Sequence, residues 1–261
     1  MRNGGTSLPS KGPRIGSVPY LNSVPLTWGL EQEIMFLPPS QLSESMRQGN
    51  LDAALLSITE ALFGRHYLIL DGIGVCSAGP VNSVFLAHRG ALADIIEVHC
   101  DPASLTSVNL LRVLLHRRNI HPKWSILDSY DAAAEEENVL LIGNPAIHFR
   151  QQNHPHQLWD LGEAWQEDTH LPFVFAVWVL KKGIDYNTIL PQLQEARDQG
   201  VQNIETIVRS YGEFDEAFRR KYLTQAIRYN LGVDERRGIA KFVTELRQFP
   251  DLTVYEPEFL R

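Results

Sequence analysis

With 261 residues, 44% hydrophobic and 21% charged, the chain has the composition of an ordinary globular protein, which excludes disorder, collagen and coiled coil. Its 24 basic against 31 acidic residues leave a net charge of −7, which argues against broad nucleic-acid binding. Any bound anion must then sit in a local pocket, since the overall field repels it.

Residues 1–13 are rich in Gly, Ser and Pro and read as a disordered lead-in without the apolar run of a secretory signal. No window approaches ~18 consecutive apolar residues, so no membrane helix is expected. The two cysteines, Cys76 and Cys100, are too few for a disulfide framework and fit a reducing compartment. A cytoplasmic protein is expected.

From residue 14 the chain alternates. Segments 14–18, 34–37, 53–56 and 68–70 read as short strands, with 41–48 and 58–63 as helices between them. That alternation predicts right-handed crossovers and a largely parallel sheet. Gly49 before Asn50-Leu51-Asp52 marks a helix stop and a strand start. Segment 79–88 reads as a longer strand leaving this unit. A second α/β series follows, with strands at 95–99, 124–127 and 139–142 and a helix at 107–118. The strongest β run is FVFAVWVL at 173–180. After Gly183, segments 189–211, 215–230 and 234–249 show helical apolar spacing. Two long strands bracketing a middle unit predict two lobes joined by two crossings. The first lobe is expected at 14–87 plus 181–261 and the second at 88–180. Ligands of such open sheets bind at the carboxyl ends of strands, in the cleft.

Candidate site residues lie where strands give way to helices. The loop Ser17-Val18-Pro19-Tyr20-Leu21-Asn22-Ser23 offers N–H groups, hydroxyls and an amide to an anion, and the same residues also suit a turn or cap. Thr106 and Ser107 open the third predicted helix, a place that holds a carboxylate or simply caps. Asn82 and Ser83 put small polar groups on an apolar strand, which need partners from ligand or backbone. Gly143 and Asn144 form a turn that faces the cleft or caps a helix. His154-Pro-His156 has no accompanying metal-ligand spacing and reads as a surface loop, and Glu135-Glu136-Glu137 reads as a solvated helix end. GxGxxG, Walker, GxSxG, HExxH and CxxC signatures are absent, so neither cofactor nor metal is expected. The surviving inventory of hydroxyls, amides and helix N-termini suits an organic dianion and lacks an obvious strong base.

The stretches RIGSVPYLNSVPL, PPSQLSESMRQGNLDAALLSITEAL, GVCSAGPVNSVFL, SLTSVNLLRVLL, LLIGNPAI, LWDLGEAWQEDTHLPFVFAVWV and YLTQAIRYNLGVDERRGIAKF occur in order over 14–249. Together they resemble the chorismate dehydratase family of the futalosine route to menaquinone. The resemblance implies an α/β, two-lobed periplasmic binding protein-like type II fold, each lobe a mixed sheet flanked by helices. It implies loss of water from chorismate to give 3-[(1-carboxyvinyl)oxy]benzoate, with the substrate's own enolpyruvyl carboxylate as base. Asn22 and Ser83 match catalytic cleft positions of the family, and Thr106 and Ser107 match its carboxylate-holding helix start. Ser17, Tyr20, Asn82, Gly143 and Asn144 complete the expected binding set. Asn144 stands where many relatives carry Asp, which fits a neutral donor. The only expected partners are the small-molecule substrate and, in a homodimer, a second copy; a monomer is equally compatible, and neither nucleic acid nor membrane is expected. Two alternatives remain. One is the sister 1,4-dihydroxy-6-naphthoate synthase, which relies on a catalytic histidine, for which His148 is the nearest candidate. The other is a solute-binding protein with no chemistry.

Overall fold

A computed structural model describes residues 12–260, so the expected lead-in lies, up to residue 11, outside the described residues. The triplet Ile-Gly-Ser of β1 (Ile15–Ser17) is buried throughout and pairs in parallel with β2 (Ile34–Phe36) and β3 (Ala53–Ser57). The helix α1 (Pro39–Arg47) connects β2 to β3, and α2 (Ile58–Phe63) follows β3 directly. β4 (Tyr67–Ser77) is far longer than the expected 68–70. Its pairing register shifts between Ile69 and Gly74, around Asp71 and Gly72, and this bulge interrupts the apolar run on which the shorter expectation rested.

The chain then crosses to a second sheet. It is built from β5 (Val84–His88), β6 (Glu97–Cys100), β7 (Lys123–Ile126), β8 (Asn138–Ile142) and β9 (Gln157–Asp160), in the order β7-β6-β8-β5-β9. α3 (Leu105–His116) links β6 to β7, α4 (Gly143–Gln151) follows β8, and α5 (Leu161–Thr169) leads back. β10 (Phe173–Lys181) returns to the first sheet, antiparallel to both β3 and β4. α6 (Ile189–Gln202), α7 (Ile204–Ser210), α8 (Glu216–Lys221), a π-helical turn at Tyr222–Ala226 and α9 (Val233–Leu246) wrap this sheet. β11 (Phe259–Leu260) closes its edge, giving the order β11-β4-β10-β3-β1-β2.

Each sheet is flanked by helices and largely parallel, and two expectations need correction. One strand in each sheet runs against the rest, β10 in the first and β5 in the second, which makes both sheets mixed. The strand expected at 79–88 begins only at Val84 and belongs to the second sheet, while 173–181 belongs to the first. The crossings therefore fall at 78–83 and 161–172 rather than at 87/88 and 180/181. An apolar run announces a strand without saying which sheet will hydrogen-bond it. The long helical segment 189–211 also breaks at Asn203.

The main core spans both sheets. Trp165 of α5, Phe173 of β10 and Phe242 of α9 meet edge-to-face with centroids 5.0–5.9 Å apart. This trio pins the return crossing to the first sheet.

Candidate functional site

A cavity of about 350 Å³ opens between the lobes, at the carboxyl ends of β1, β3, β6 and β8. Its floor is apolar, from Val18, Leu55, Val75, Val84 and Phe175. Its polar wall is built from four segments, each positioned by a strand end.

The first is the loop after β1. The Ser23 hydroxyl, buried, sits 2.6 Å and 2.7 Å from the carbonyl oxygens of Val18 and Tyr20 and braces the turn. A short 3₁₀ helix (Leu21–Leu26) follows, and Asn22 faces the cavity from it. Beside Asn22 lies the phenol of Tyr222, which donates to Ser83 Oγ at 2.7 Å. Burial pushes this phenol up, and hydrogen bonding with Ser83 and Asn22 works in the opposite direction. Asn22 and Ser83 thus converge on one buried phenol in a π-helical turn, a geometry common at functional sites.

The second segment is the start of α3. The helix begins at Leu105 with Ser104 as its N-cap, two residues earlier than expected, so Thr106 and Ser107 stand in its first turn. First-turn N–H groups lack partners within the helix, and its dipole favours an anion there. Thr106 Oγ1 accepts the Thr59 N–H at 3.0 Å, drawing α2 across to α3. The Ser107 hydroxyl lines the cavity and makes no hydrogen bond among the described residues. Beneath this turn lies Asp101, which accepts from the Ala103 N–H at 2.8 Å and from the Tyr130 hydroxyl at 3.0 Å. Its second oxygen is buried without a partner among the described residues, and burial pushes its carboxyl up.

The third segment is the β8–α4 turn. Gly143 adopts φ +61°, and a Cβ there would stand 3.2 Å from the Tyr20 ring. Only glycine allows both the left-handed backbone and this approach without strain. Tyr20 itself is pushed up to about 12 by burial and by the charge of Asp101, so it faces the cavity as a neutral phenol.

The fourth segment was missed by sequence reasoning. Ser40, Ser43 and Arg47 of α1 line the cavity, with Ser57 and Glu60 at the start of α2. The spacing i, i+3, i+7 puts the three α1 residues on one helix face, which was the available signal. Arg47 donates to Glu60 at 2.8 Å.

Of the expected site residues, the structure brings Tyr20, Asn22, Thr106, Ser107 and Gly143 to the cavity wall. Four others stand behind it. Ser17 ends β1 fully buried, its hydroxyl unpartnered among the described residues. Asn82 is a turn residue at φ +64° whose N–H binds Asp160 at 2.7 Å. Ser83 is buried, and its hydroxyl meets Tyr222, which is itself buried and lies beside Asn22 of the wall. Asn144 accepts from the Leu21 N–H at 3.2 Å and donates to the Tyr211 hydroxyl at 3.0 Å and to Glu213 at 2.9 Å, tying three segments together.

Away from the cavity, His148 is half exposed, 3.4 Å from Glu213 and against the Phe214 ring. Asp160 caps α5 and accepts four backbone N–H groups, from Val81, Asn82, Gly162 and Glu163. In the expected surface loop, His154 stacks on Phe149 at 4.5 Å, while His156 is buried, 2.6 Å from the Glu136 carbonyl oxygen. Among the described residues no group of three or more His, Cys, Asp or Glu side chains is placed to hold a metal ion, and no helix is long and apolar enough to cross a membrane.

Residues 13–248 match a protein family described as menaquinone biosynthesis. The chain is 29% identical over 274 aligned positions to the chorismate dehydratase of Thermus thermophilus, covering 94% of this chain and 98% of that one. Among solved structures it is similar to protein AF1704 from Archaeoglobus fulgidus, with a TM-score of 0.73 and 15% identity over 90% of this chain and 97% of the other. It is also similar to the alkanesulfonate-binding protein SsuA from Xanthomonas axonopodis pv. citri bound to MOPS, with a TM-score of 0.61 and 18% identity over 90% of each chain. At such identities the two overlays show the fold alone, a two-lobed solute-binding architecture.

Proposed function

Since the chain belongs to the menaquinone-biosynthesis family, we propose that it is a chorismate dehydratase, removing water from chorismate to give 3-[(1-carboxyvinyl)oxy]benzoate. The observation that carries this reading is one apolar-floored cavity whose polar wall joins one face of α1, from the first lobe, to the first turn of α3, from the second. Such a wall suits a small ring bearing two carboxylates.

Loss of the C3 proton and the C4 hydroxyl makes the ring aromatic, a large driving force. Charge develops on the ring carboxylate as the proton leaves, so donors aimed at that carboxylate lower the barrier. The first turn of α3, with Ser107 and the helix N–H groups, fills that role. Asn22 orients the enolpyruvyl arm or the departing hydroxyl, braced by Tyr222 and Ser83. Tyr20 and Gly143 shape the wall against the ring.

The proton goes to the substrate's own enolpyruvyl carboxylate. Two observations support this. No histidine lines the cavity among the described residues, and the one wall carboxylate, Glu60, is already engaged by Arg47 at 2.8 Å. The missing histidine also disfavours the sister synthase, because His148 points to Glu213 and not to the cavity.

The test is incubation of the purified protein with chorismate. Disappearance of the diene absorbance with stoichiometric formation of the enolpyruvyl benzoate is expected. Chorismate that binds and is recovered unchanged would identify a solute binder instead.

A further inference from the structure

The cavity wall carries a negative side chain, Glu60, although the proposed ligand is a dianion. Glu60 is buried at the start of α2, and its immediate partner is Arg47 on α1, whose side chain is half exposed. Arg47 Nη1 donates to Glu60 at 2.8 Å, while Nε and Nη2 donate to Glu44 at 3.2 Å and 3.0 Å. A guanidinium has five N–H donors, so three are engaged and two remain. Among the described residues Arg47 is the sole cationic side chain on this wall. Two carboxylates from different helices fix its plane at the cavity, where a free arginine would sweep solvent. A guanidinium held in this way is pre-organised for a carboxylate, which it meets with a geometry lysine cannot reproduce.

α3 supplies one anion-binding feature, from the second lobe, and a ligand with two carboxylates needs another. We propose that Arg47 receives the second carboxylate and so selects dicarboxylates over monocarboxylates, with Glu60 as the positioning residue that holds its guanidinium. The presence of an acid in an anion site then has a physical reason. The assignment rests on the reading of this cavity as the chorismate site.

The experiment compares two ligands by calorimetry, 3-[(1-carboxyvinyl)oxy]benzoate with two carboxylates and benzoate with one. Removing Arg47 alone strands a buried charge, so the key variant is Arg47→Gln with Glu60→Gln, which removes both charges. It should bind the dicarboxylate about 10- to 100-fold more weakly, with benzoate affinity changed less than about twofold. Arg47→Lys should recover only part of the loss. Glu60→Gln alone should raise KM through a looser Arg47 while kcat for chorismate stays within a few-fold.

Equal weakening of both ligands would show that the pair only ties α1 to α2 and would overturn the assignment, as would unchanged affinity for the dicarboxylate. Abolished kcat in Glu60→Gln with KM intact would make Glu60 the proton acceptor and overturn its positioning role. If the unsubstituted protein binds the dicarboxylate yet leaves chorismate intact, the dehydratase reading fails, while a selective loss in the double variant still supports Arg47.

Discussion

Tyr222 carries a phenol into the interior, where Ser83 and Asn22 meet it. Asn22 therefore has one side toward that neutral phenol and the other toward the cavity. Asn22→Asp keeps the shape but sets a negative charge against a dianion in a poorly solvated cleft. We expect turnover in Asn22→Asp to fall by more than binding falls in Asn22→Ala; near-native kcat in the Asp variant would reduce Asn22 to a turn residue. Ser107 lines the cavity, and the proposed reaction gives it a role in binding. Ser107→Ala should raise KM by the equivalent of about 1–3 kcal/mol, with kcat less affected, and an unchanged KM would remove Ser107 from the site. The loop residues were legible because Asn and Ser beside a strand end have few uses beyond turns, caps and ligands. Arg47, Glu60 and Tyr222 were not. Polar spacing on α1 reads as a solvated face, an acid after a Ser N-cap reads as a helix start, and an aromatic in a helical period reads as core. Only the fold turns those faces inward.

Among the elements, β1 owes its place to its ends as much as to its apolar residues. Arg14, just before β1, donates to Asp52, just before β3, through its N–H at 2.9 Å, Nε at 3.1 Å and Nη2 at 2.7 Å. These bonds align the two strands from which the Asn22 loop and α2 spring. Hydrogen bonding to Arg14 holds the Asp52 carboxyl below its ordinary range, against the opposing effect of partial burial. A depressed carboxyl contributes stability above its unfolded pKa and loses it as pH falls through the folded value. With Arg14 half exposed, the contribution is about 0.5–1 kcal/mol. Denaturant titrations of Asp52→Asn beside the unsubstituted protein should therefore show a gap at neutral pH that closes as pH falls below the ordinary carboxylate range. A gap that persists in acid would assign the effect to shape rather than charge. Legibility at this scale followed regularity. Short, unbroken elements such as α2 were read at their full extent, whereas the bulged β4 was cut to a fragment and the π-helical turn at Tyr222–Ala226 was absorbed into a longer helix.

Across the whole molecule the lobes are held by specific crosspieces. Thr59 binds Thr106, Leu21 binds Asn144, Tyr222 binds Ser83, and Arg117 of α3 binds Glu245 of α9 at 2.9 Å. Three of them join the first sheet's layer to the second's, and Tyr222–Ser83 ties the first to the outgoing crossing, so the cavity walls are braced against each other. The two-lobed plan was legible from alternation and from the change of character after Gly183; the sheet membership of β5 and β10 was not, since it depends on partners distant in sequence.

That membership also governs how the molecule assembles. β10 lies between β3 and β4, so without it the first sheet is two unconnected pieces, while every strand of the second sheet lies within 84–160. Long-range pairing of this kind closes late, after contiguous units have formed. In refolding followed by pulsed hydrogen exchange, amides of β5, β6 and β8 should become protected before those of β3 and β10, and simultaneous protection would contradict this order. On the ribosome the inserted lobe is complete before its host, and the host waits, its apolar strands exposed, for the one strand that makes it whole.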